Sequence, residues 1–341
     1  MKESFKKIEE LLKEFGIWPY DIQKKGKVYK IYSRDGIFAL KRSSVQDFQR
    51  LFVHLQYLYK KGFYRFVPIL PTIGGTYAVS DGENLFYLMP WFSEKKDGKT
   101  MEGLFRELGR LHSLSVKEWK IEKDVVETHY ERTKEKWQAE IGFFDALIDQ
   151  CERKSYMSPF EWKYVEYYNE FRKAYDYALL QLDIWKNETI QEGKMRSVII
   201  HGNCDEDHFL FTEEQKGYFL SWEKSRFSSP FFDILPLLKK LLPIYPTDCD
   251  DCLNLLHVYF QLFPLRKGEE SLMKSYLAQP GSIVSTLEQY RSIKANNKEY
   301  IYTKTLNRQY WQFKNTEYIV MKLEEKEANE KRNGNHRSFP S

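Results

Sequence analysis

The sequence predicts an α+β protein of two lobes, a small β-rich lobe over residues 1–90 and a larger, mainly helical lobe over 91–320. Three observations carry this reading. Between Gly26 and Phe92, short segments rich in β-branched and aromatic residues alternate with glycine-bearing turns. From Lys99 onward, apolar residues recur at helical spacing. A single strand–loop–strand insert, from Ser197 to Leu220, interrupts those helices.

Each element follows from local chemistry. The stretch "MKESFKKIEELLKEFG" places Phe5, Ile8, Leu11, Leu12 and Phe15 on one side of an amphipathic helix. In "GKVYKIYSRDGIFALKRSS", two strands, Val28 to Tyr32 and Ile37 to Lys41, flank the turn residues Arg34-Asp35-Gly36. Ser44 then offers an N-cap, and Phe48, Leu51, Phe52, Leu55, Leu58 and Tyr59 keep helical spacing until Gly62. The stretch "VPILPTIGGTYAVSDGENLFYLMPWF" reads as three strands separated by a Gly-Gly turn and an Asp-Gly turn. In the second lobe, "MEGLFRELGRLHSLS" sets Leu104, Leu108, Leu111 and Leu114 along one stripe, with His112 beside it. Long helices are expected around Tyr130–Glu152 and Pro159–Glu192, and further helices from Phe231, punctuated by Pro236, Pro243 and Pro246. The stretch "YIYTKTLNRQYWQFK" reads as a helix packing Tyr300, Tyr302, Leu306, Tyr310 and Phe313 on its own lobe, with a docking face as the alternative. The charged end, "EEKEANEKRNGNHRSFPS", predicts a flexible tail over 321–341.

Composition narrows the function classes. With 42% hydrophobic and 30% charged residues, the 341-residue chain can bury a sizeable core. A net charge of +4, with both signs dispersed, argues against nucleic acid as a partner. No apolar run approaches the roughly 18 residues that span a bilayer, so no transmembrane segment is expected. The start is an amphipathic helix, not a secretory signal, which predicts synthesis without a signal peptide. Four cysteines fit a reducing compartment better than a disulfide framework. Cys249-Asp-Asp-Cys252 has zinc or redox spacing, but no second ligand pair or βαβ context accompanies it, so no such role is assigned. The 24 tyrosines and 24 phenylalanines fit either an aromatic core or exposed tyrosines suited to packing in an assembly.

The chemistry-bearing stretch is "HGNCDEDHFLF", His201 to Phe211, which follows the apolar run Ser197-Val198-Ile199-Ile200. Upstream, Lys41 ends the second strand in "FALK", and Leu88-Met89-Pro90-Trp91 reads as a hinge. Downstream comes "YFLSWEKSRFSSPFFDI". In this order and spacing, from about Tyr20 to Tyr310, the chain resembles the aminoglycoside phosphotransferase and choline kinase superfamily. Within it, "GIFALKRSS", "VPILPTIGGTY" and "LGRLHSLS" are similar to the spore-coat-associated CotS/YutH-like branch. The resemblance implies a bilobal protein-kinase-like fold, with Lys41 as the ligand of nucleotide phosphates and with ATP and magnesium as cofactors if the protein is active.

Departures from the superfamily pattern are as informative as the match. The loop acid that orients and deprotonates the accepting hydroxyl corresponds to Asn203. The loop asparagine that helps bind magnesium corresponds to His208, and the metal-binding aspartate to Ser221, with Trp222 and Glu223 retained. Asp233 still matches the acid that braces the loop. Phosphoryl transfer depends on positioning and on charge neutralisation by magnesium, which takes hard oxygen ligands. An asparagine cannot take the proton that a general base removes, a step worth roughly 10²–10⁴ in rate. No catalytic residue and no metal ligand is therefore assigned. Asp205, Glu206, Asp207 and Glu223 remain as carboxylates from which a metal site could be rebuilt. Gly26 is the sole glycine of the loop just before Val28, and Asp47 the one acid of the helix after Lys41 where a Glu partner is common.

Three readings follow. The first is a non-catalytic, structural protein of the spore coat, made in the mother-cell cytoplasm and partnered by other coat proteins, as the resemblance implies. The second is an ATP- and magnesium-dependent small-molecule phosphotransferase. The third is a module that binds a nucleotide or metabolite without turnover.

Overall fold

The computed structural model describes residues 2–92, 100–212, 214, 216–292 and 299–335. The chain opens with α1 (Lys2–Glu14), β1 (Pro19–Lys25), β2 (Val28–Ser33), β3 (Gly36–Ser43) and α2 (Val45–Lys60). After these come β4 (Val79–Ser80), β5 (Leu85–Pro90), α3 (Thr100–Ser115) and β6 (Lys117–Lys120). Two long helices, α4 (Lys123–Glu152) and α5 (Pro159–Glu192), lead to the short strands β7 (Lys194–Ile200), β8 (Phe209–Phe211), β9 (Gly217–Phe219) and β10 (Arg226–Ser228). The rest is helical: α6 (Phe231–Leu241), α7 (Asp250–Leu262), α8 (Lys267–Ala278), α9 (Val284–Ser292) and α10 (Glu299–Asn335).

The chain forms two compact units that do not follow the expected 1–90 and 91–320 division. The first joins Met1–Lys117 to Ser197–Ile234 and Val258–Phe263; the second takes Glu118–Arg196, Leu235–His257 and Pro264–Ser341. In the first unit, five antiparallel strands run in the order β1-β2-β3-β5-β4. Helix α1 buries Ile8, Leu11 and Leu12 against Ile31, Leu40, Phe86 and Leu88 of that sheet. Helix α2 starts at the expected cap, where Ser44 accepts a hydrogen bond from the Asp47 amide. The strand–loop–strand insert belongs to this unit: β8 pairs with β9, and the end of β7 pairs with β10.

Two expectations about strands need correction. β1 was not foreseen, because the hairpin arm Pro19–Lys25 is an edge strand with little inward-facing apolar surface. The strand expected at the start of "VPILPTIGG" does not form. Pro68 and Pro71 have no amide hydrogen to give a ladder, and two contacts remain, Leu70 N to Leu88 O at 2.8 Å and Val67 N to Phe219 O at 3.3 Å.

The second unit is helical. Its core gathers Tyr130, Trp137, Phe144, Tyr164, Phe171 and Tyr175, so much of the tyrosine content is spent internally. Tyr167 and Tyr310 stack with centroids 3.6 Å apart. Of the stripe expected on α10, Leu306, Tyr310 and Phe313 are buried, whereas Tyr300 is exposed. The tail expected from 321 is helical through Asn335, because Ile319, Val320 and Leu323 continue the buried stripe; 336–341 lie outside the described residues. No described helix is long and apolar enough to cross a membrane.

Candidate functional site

Sheet register places the first functional side chain. Lys41 stands opposite Tyr87 in the β3–β5 ladder. Alternation along β3 sends Phe38 and Leu40 toward α1, so Ala39 and Lys41 face the other way. On that face, Lys41 Nζ lies 2.7 Å from Glu223 Oε1 and donates a 2.8 Å hydrogen bond to Ser221 Oγ. Tyr87 donates a 2.6 Å hydrogen bond to the same Glu223 oxygen. The Lys41 and Glu223 side chains are only 12% and 18% exposed, so the pair sits largely out of water.

Electrostatics follow from that closure. Burial pushes the Glu223 carboxyl upward, but the Lys41 charge and the hydrogen bonds from Lys41 and Tyr87 outweigh it and hold the group below its ordinary range. The Tyr87 hydroxyl goes well above its ordinary value, through burial first and then the Glu223 charge. Ser221 holds this arrangement at a backbone cost. Its φ of 64° and ψ of 56° are left-handed, and it is the one non-glycine at positive φ among the described residues. The 3-10 turn that it opens, Trp222–Lys224, is anchored by Trp222, whose ring meets Phe63, Phe66, Phe219 and His201.

The loop after β7 is braced by Asp233. This carboxylate accepts hydrogen bonds from the His201 and Gly202 amides, at 2.6 and 2.8 Å, and lies 3.3 Å from His112 Nε2. The other His112 nitrogen is 2.8 Å from the Tyr259 hydroxyl. Burial works against ionising Asp233; the His112 hydrogen bond and charge, then the His201 charge and the Gly202 amide, win and keep it below the ordinary aspartate value. Burial also pushes His201 below the ordinary histidine value. Its Nε2 meets the Leu220 carbonyl at 2.6 Å, and its buried Nδ1 has no hydrogen-bond partner among the described residues. Gly202 is required: at φ 75°, an added Cβ would stand 2.4 Å from the Lys224 carbonyl oxygen.

Beyond Gly202, four polar side chains form one relay. Lys224 Nζ donates to Asn203 Oδ1 at 3.3 Å. Asn203 Nδ2 lies against the His208 imidazole, 3.0 Å from Nε2 and 3.1 Å from Nδ1. His208 Nδ1 is 2.5 Å from Asp205 Oδ1, which also accepts from the His208 amide at 3.1 Å. The relay thus runs from a cation to an anion, which assigns the imidazole proton to Nδ1.

The predicted site residues therefore fall into two groups, Lys41 with Ser221 and Glu223, and Asn203 with Asp205 and His208. Glu206 and Asp207 are exposed on the loop. Asp47 does not serve Lys41; it pairs with Arg50 at 3.3 Å. Gly26 sits at φ 62° in the β1–β2 turn. Sequence reasoning missed Tyr87, Lys224 and Tyr259. No motif marks them, and the β3–β5 register was the one signal that could have found Tyr87.

Magnesium, which the resemblance implies, asks for free carboxylate oxygens. Here Glu223 is neutralised by Lys41, Asp205 is tied to His208, and Ser221 offers a hydroxyl already accepting from Lys41. Among the described residues, no group of three or more His, Cys, Asp or Glu is placed to hold a metal ion. Of the carboxylates from which a metal site could be rebuilt, Glu223 and Asp205 are thus engaged by other side chains, and Glu206 and Asp207 lie exposed on the loop. Cys249 and Cys252 are both buried, and burial pushes the Cys252 thiol up to about 11, away from the thiolate that metal or redox chemistry needs.

No protein-family model matches the chain, and no curated protein matches its sequence. Solved structures do match. The aminoglycoside phosphotransferase from Alicyclobacillus acidocaldarius subsp. acidocaldarius DSM 446 aligns over 93% of this chain and 96% of its own, at 13% identity and a TM-score of 0.69. The AMP-bound spectinomycin phosphotransferase APH(9)-Ia aligns over 93% and 98%, at 13% identity and a TM-score of 0.50. At such identity the likeness shows the fold alone, an α+β aminoglycoside-phosphotransferase-like fold.

Proposed function

We propose that this protein is a non-catalytic form of the phosphotransferase fold, serving as a structural or assembly component of a spore coat. One observation carries the non-catalytic part: Lys41 is closed onto Glu223 and Ser221, at 2.7 and 2.8 Å. The lysine that would meet phosphate oxygens, the residue in the metal-binding position and the carboxylate beside it thus satisfy one another. Asn203, in the position of the base, bridges Lys224 and His208 and has no carboxylate to offer. Phosphoryl transfer without base or metal ligands falls to near background.

The coat role is carried by the sequence resemblance, which also implies synthesis in the mother-cell cytoplasm and other coat proteins as partners. Exposed aromatics such as Tyr156, at 88% exposure, and Tyr300, at 72%, suit packing in an assembly.

Calorimetry of the purified protein with ATP and magnesium is expected to give no saturable heat, and its ATP turnover to equal that of Lys41→Ala. Turnover above that variant overturns the reading in favour of a small-molecule phosphotransferase. Saturable binding without turnover favours a nucleotide- or metabolite-binding module. Coat extracts of sporulating cells should contain the protein; confinement to the soluble cytoplasm would remove the coat role.

A further inference from the structure

The helical unit holds a cavity of about 330 Å³ between α6, the end of α8 with the residues after it, and α10. That size lies at the small end of ligand sites. Its apolar walls come from Leu235, Leu242, Leu277 and Phe313. Three polar groups on the lining stand out because the fold leaves them unused. Among the described residues, neither the Lys239 ammonium nor the Ser282 hydroxyl has a hydrogen-bond or ion-pair partner. The Gln309 carboxamide donates to the Ser282 carbonyl at 2.9 Å, yet its Oε1 is buried with no partner.

Leaving a buried carbonyl oxygen unpaired costs about 1–3 kcal/mol, so a native structure that does so calls for a reason. Lys239 is an exposed residue of this lining. The surrounding protein still desolvates it enough to hold its pKa below the ordinary lysine value. An exposed cation and a buried acceptor, each without a partner among the described residues, line the same cavity as these apolar side chains and together specify a complementary molecule. It carries an anionic group for Lys239, a hydroxyl for Gln309 and a short carbon skeleton.

We propose that this cavity binds a small hydroxylated anion, either a phosphorylated polyol or a hydroxy acid. Lys239 pairs with the anionic end, and Gln309 Oε1 accepts the ligand hydroxyl. The site is built wholly within the helical unit and does not depend on Lys41 or Glu223.

The test is titration calorimetry of the full chain with sn-glycerol 3-phosphate and with L-malate, using propyl phosphate as the anion lacking a hydroxyl. One of the two hydroxylated probes should bind saturably and more tightly than propyl phosphate; which one does so identifies the anionic group. Lys239→Ala should weaken that binding at least tenfold, while Lys239→Arg keeps most of it. Because Lys239 is exposed, neither substitution should lower the melting temperature appreciably. No saturable heat from either hydroxylated probe, an unchanged Kd in Lys239→Ala, or equal affinity for propyl phosphate would each overturn the proposal.

Discussion

Lys41 and Glu223 are 182 positions apart in the chain (223 minus 41) and meet because β3 and the turn after β9 fold onto one another. Removing one member of a mostly buried pair strands the other's charge, so Lys41→Ala is expected to cost about 3 kcal/mol. Chemical denaturation should report this as a lower midpoint at unchanged slope. The pH dependence has a definite sign. Glu223 is held below the ordinary value of 4.5, so its contribution is full above that pH and is lost as pH falls through the lower folded value. Stability of the native protein should therefore fall more steeply below pH 4.5 than that of Lys41→Ala, measured by denaturation at a series of acidic pH values. Ser221 gives a second contrast. Both Ser221→Ala and Ser221→Gly lose the hydrogen bond from Lys41, but only glycine relieves the positive φ, so Gly should be more stable than Ala by about 1 kcal/mol. These residue-scale facts show why the site was only partly legible. Sequence order located Lys41, Asn203, His208, Ser221 and Glu223 as landmarks. It could not show that Glu223 answers Lys41, or that Lys224 answers Asn203, since those pairings exist only in three dimensions.

Helices proved more legible than strands, because helix ends carry their own chemistry. The helix expected over Pro159–Glu192 has those bounds, set by Ser158 and Pro159 at one end and Gly193 at φ 62° at the other. Ser158 accepts from the Glu161 amide, and Glu161 accepts from the Ser158 amide, so two otherwise orphaned donors are satisfied reciprocally. Ser158→Ala should accordingly lower stability by about 1 kcal/mol, and Ser158→Asp, which can still cap, should recover most of it; thermal melts of both variants check this. Strands lack such terminal signatures and depend on neighbours. The segment after Val67 has strand-like composition, yet its two prolines leave it a pair of isolated contacts. The loop at Gly202 is fixed by tertiary crowding, so Gly202→Ala should disrupt it by several kcal/mol, beyond the roughly 1 kcal/mol expected from backbone preference alone.

At the scale of the molecule, the first unit is discontinuous in sequence, and that has a consequence for any attempt to divide the chain. A cut at 90/91, or after Lys117, removes Ser197–Ile234 and Val258–Phe263, two of the three segments of the unit. Phe63 would lose Phe219 and Trp222, Phe66 would lose Trp222, and the exchange of backbone hydrogen bonds between Arg65, Val67 and Phe219 would go with them. Each large apolar side chain returned to water costs about 1.5–3 kcal/mol, and two or three such losses match much of a domain's net stability of roughly 5–15 kcal/mol. Lys41 and Tyr87 would also lose Glu223, and His54 its 2.9 Å contact with Ser225. A chain ending at Lys117 should therefore show no cooperative melt and low amide protection in β3 and β5. Joining 197–263, which carries both missing segments, to it through a flexible linker should restore a sigmoidal transition and protect those strands. If residues 1–117 alone melted cooperatively with native-like protection, the sheet and its helices would be a self-sufficient lobe. The Lys41–Glu223 closure would then be an accessory to a lobe that folds without it.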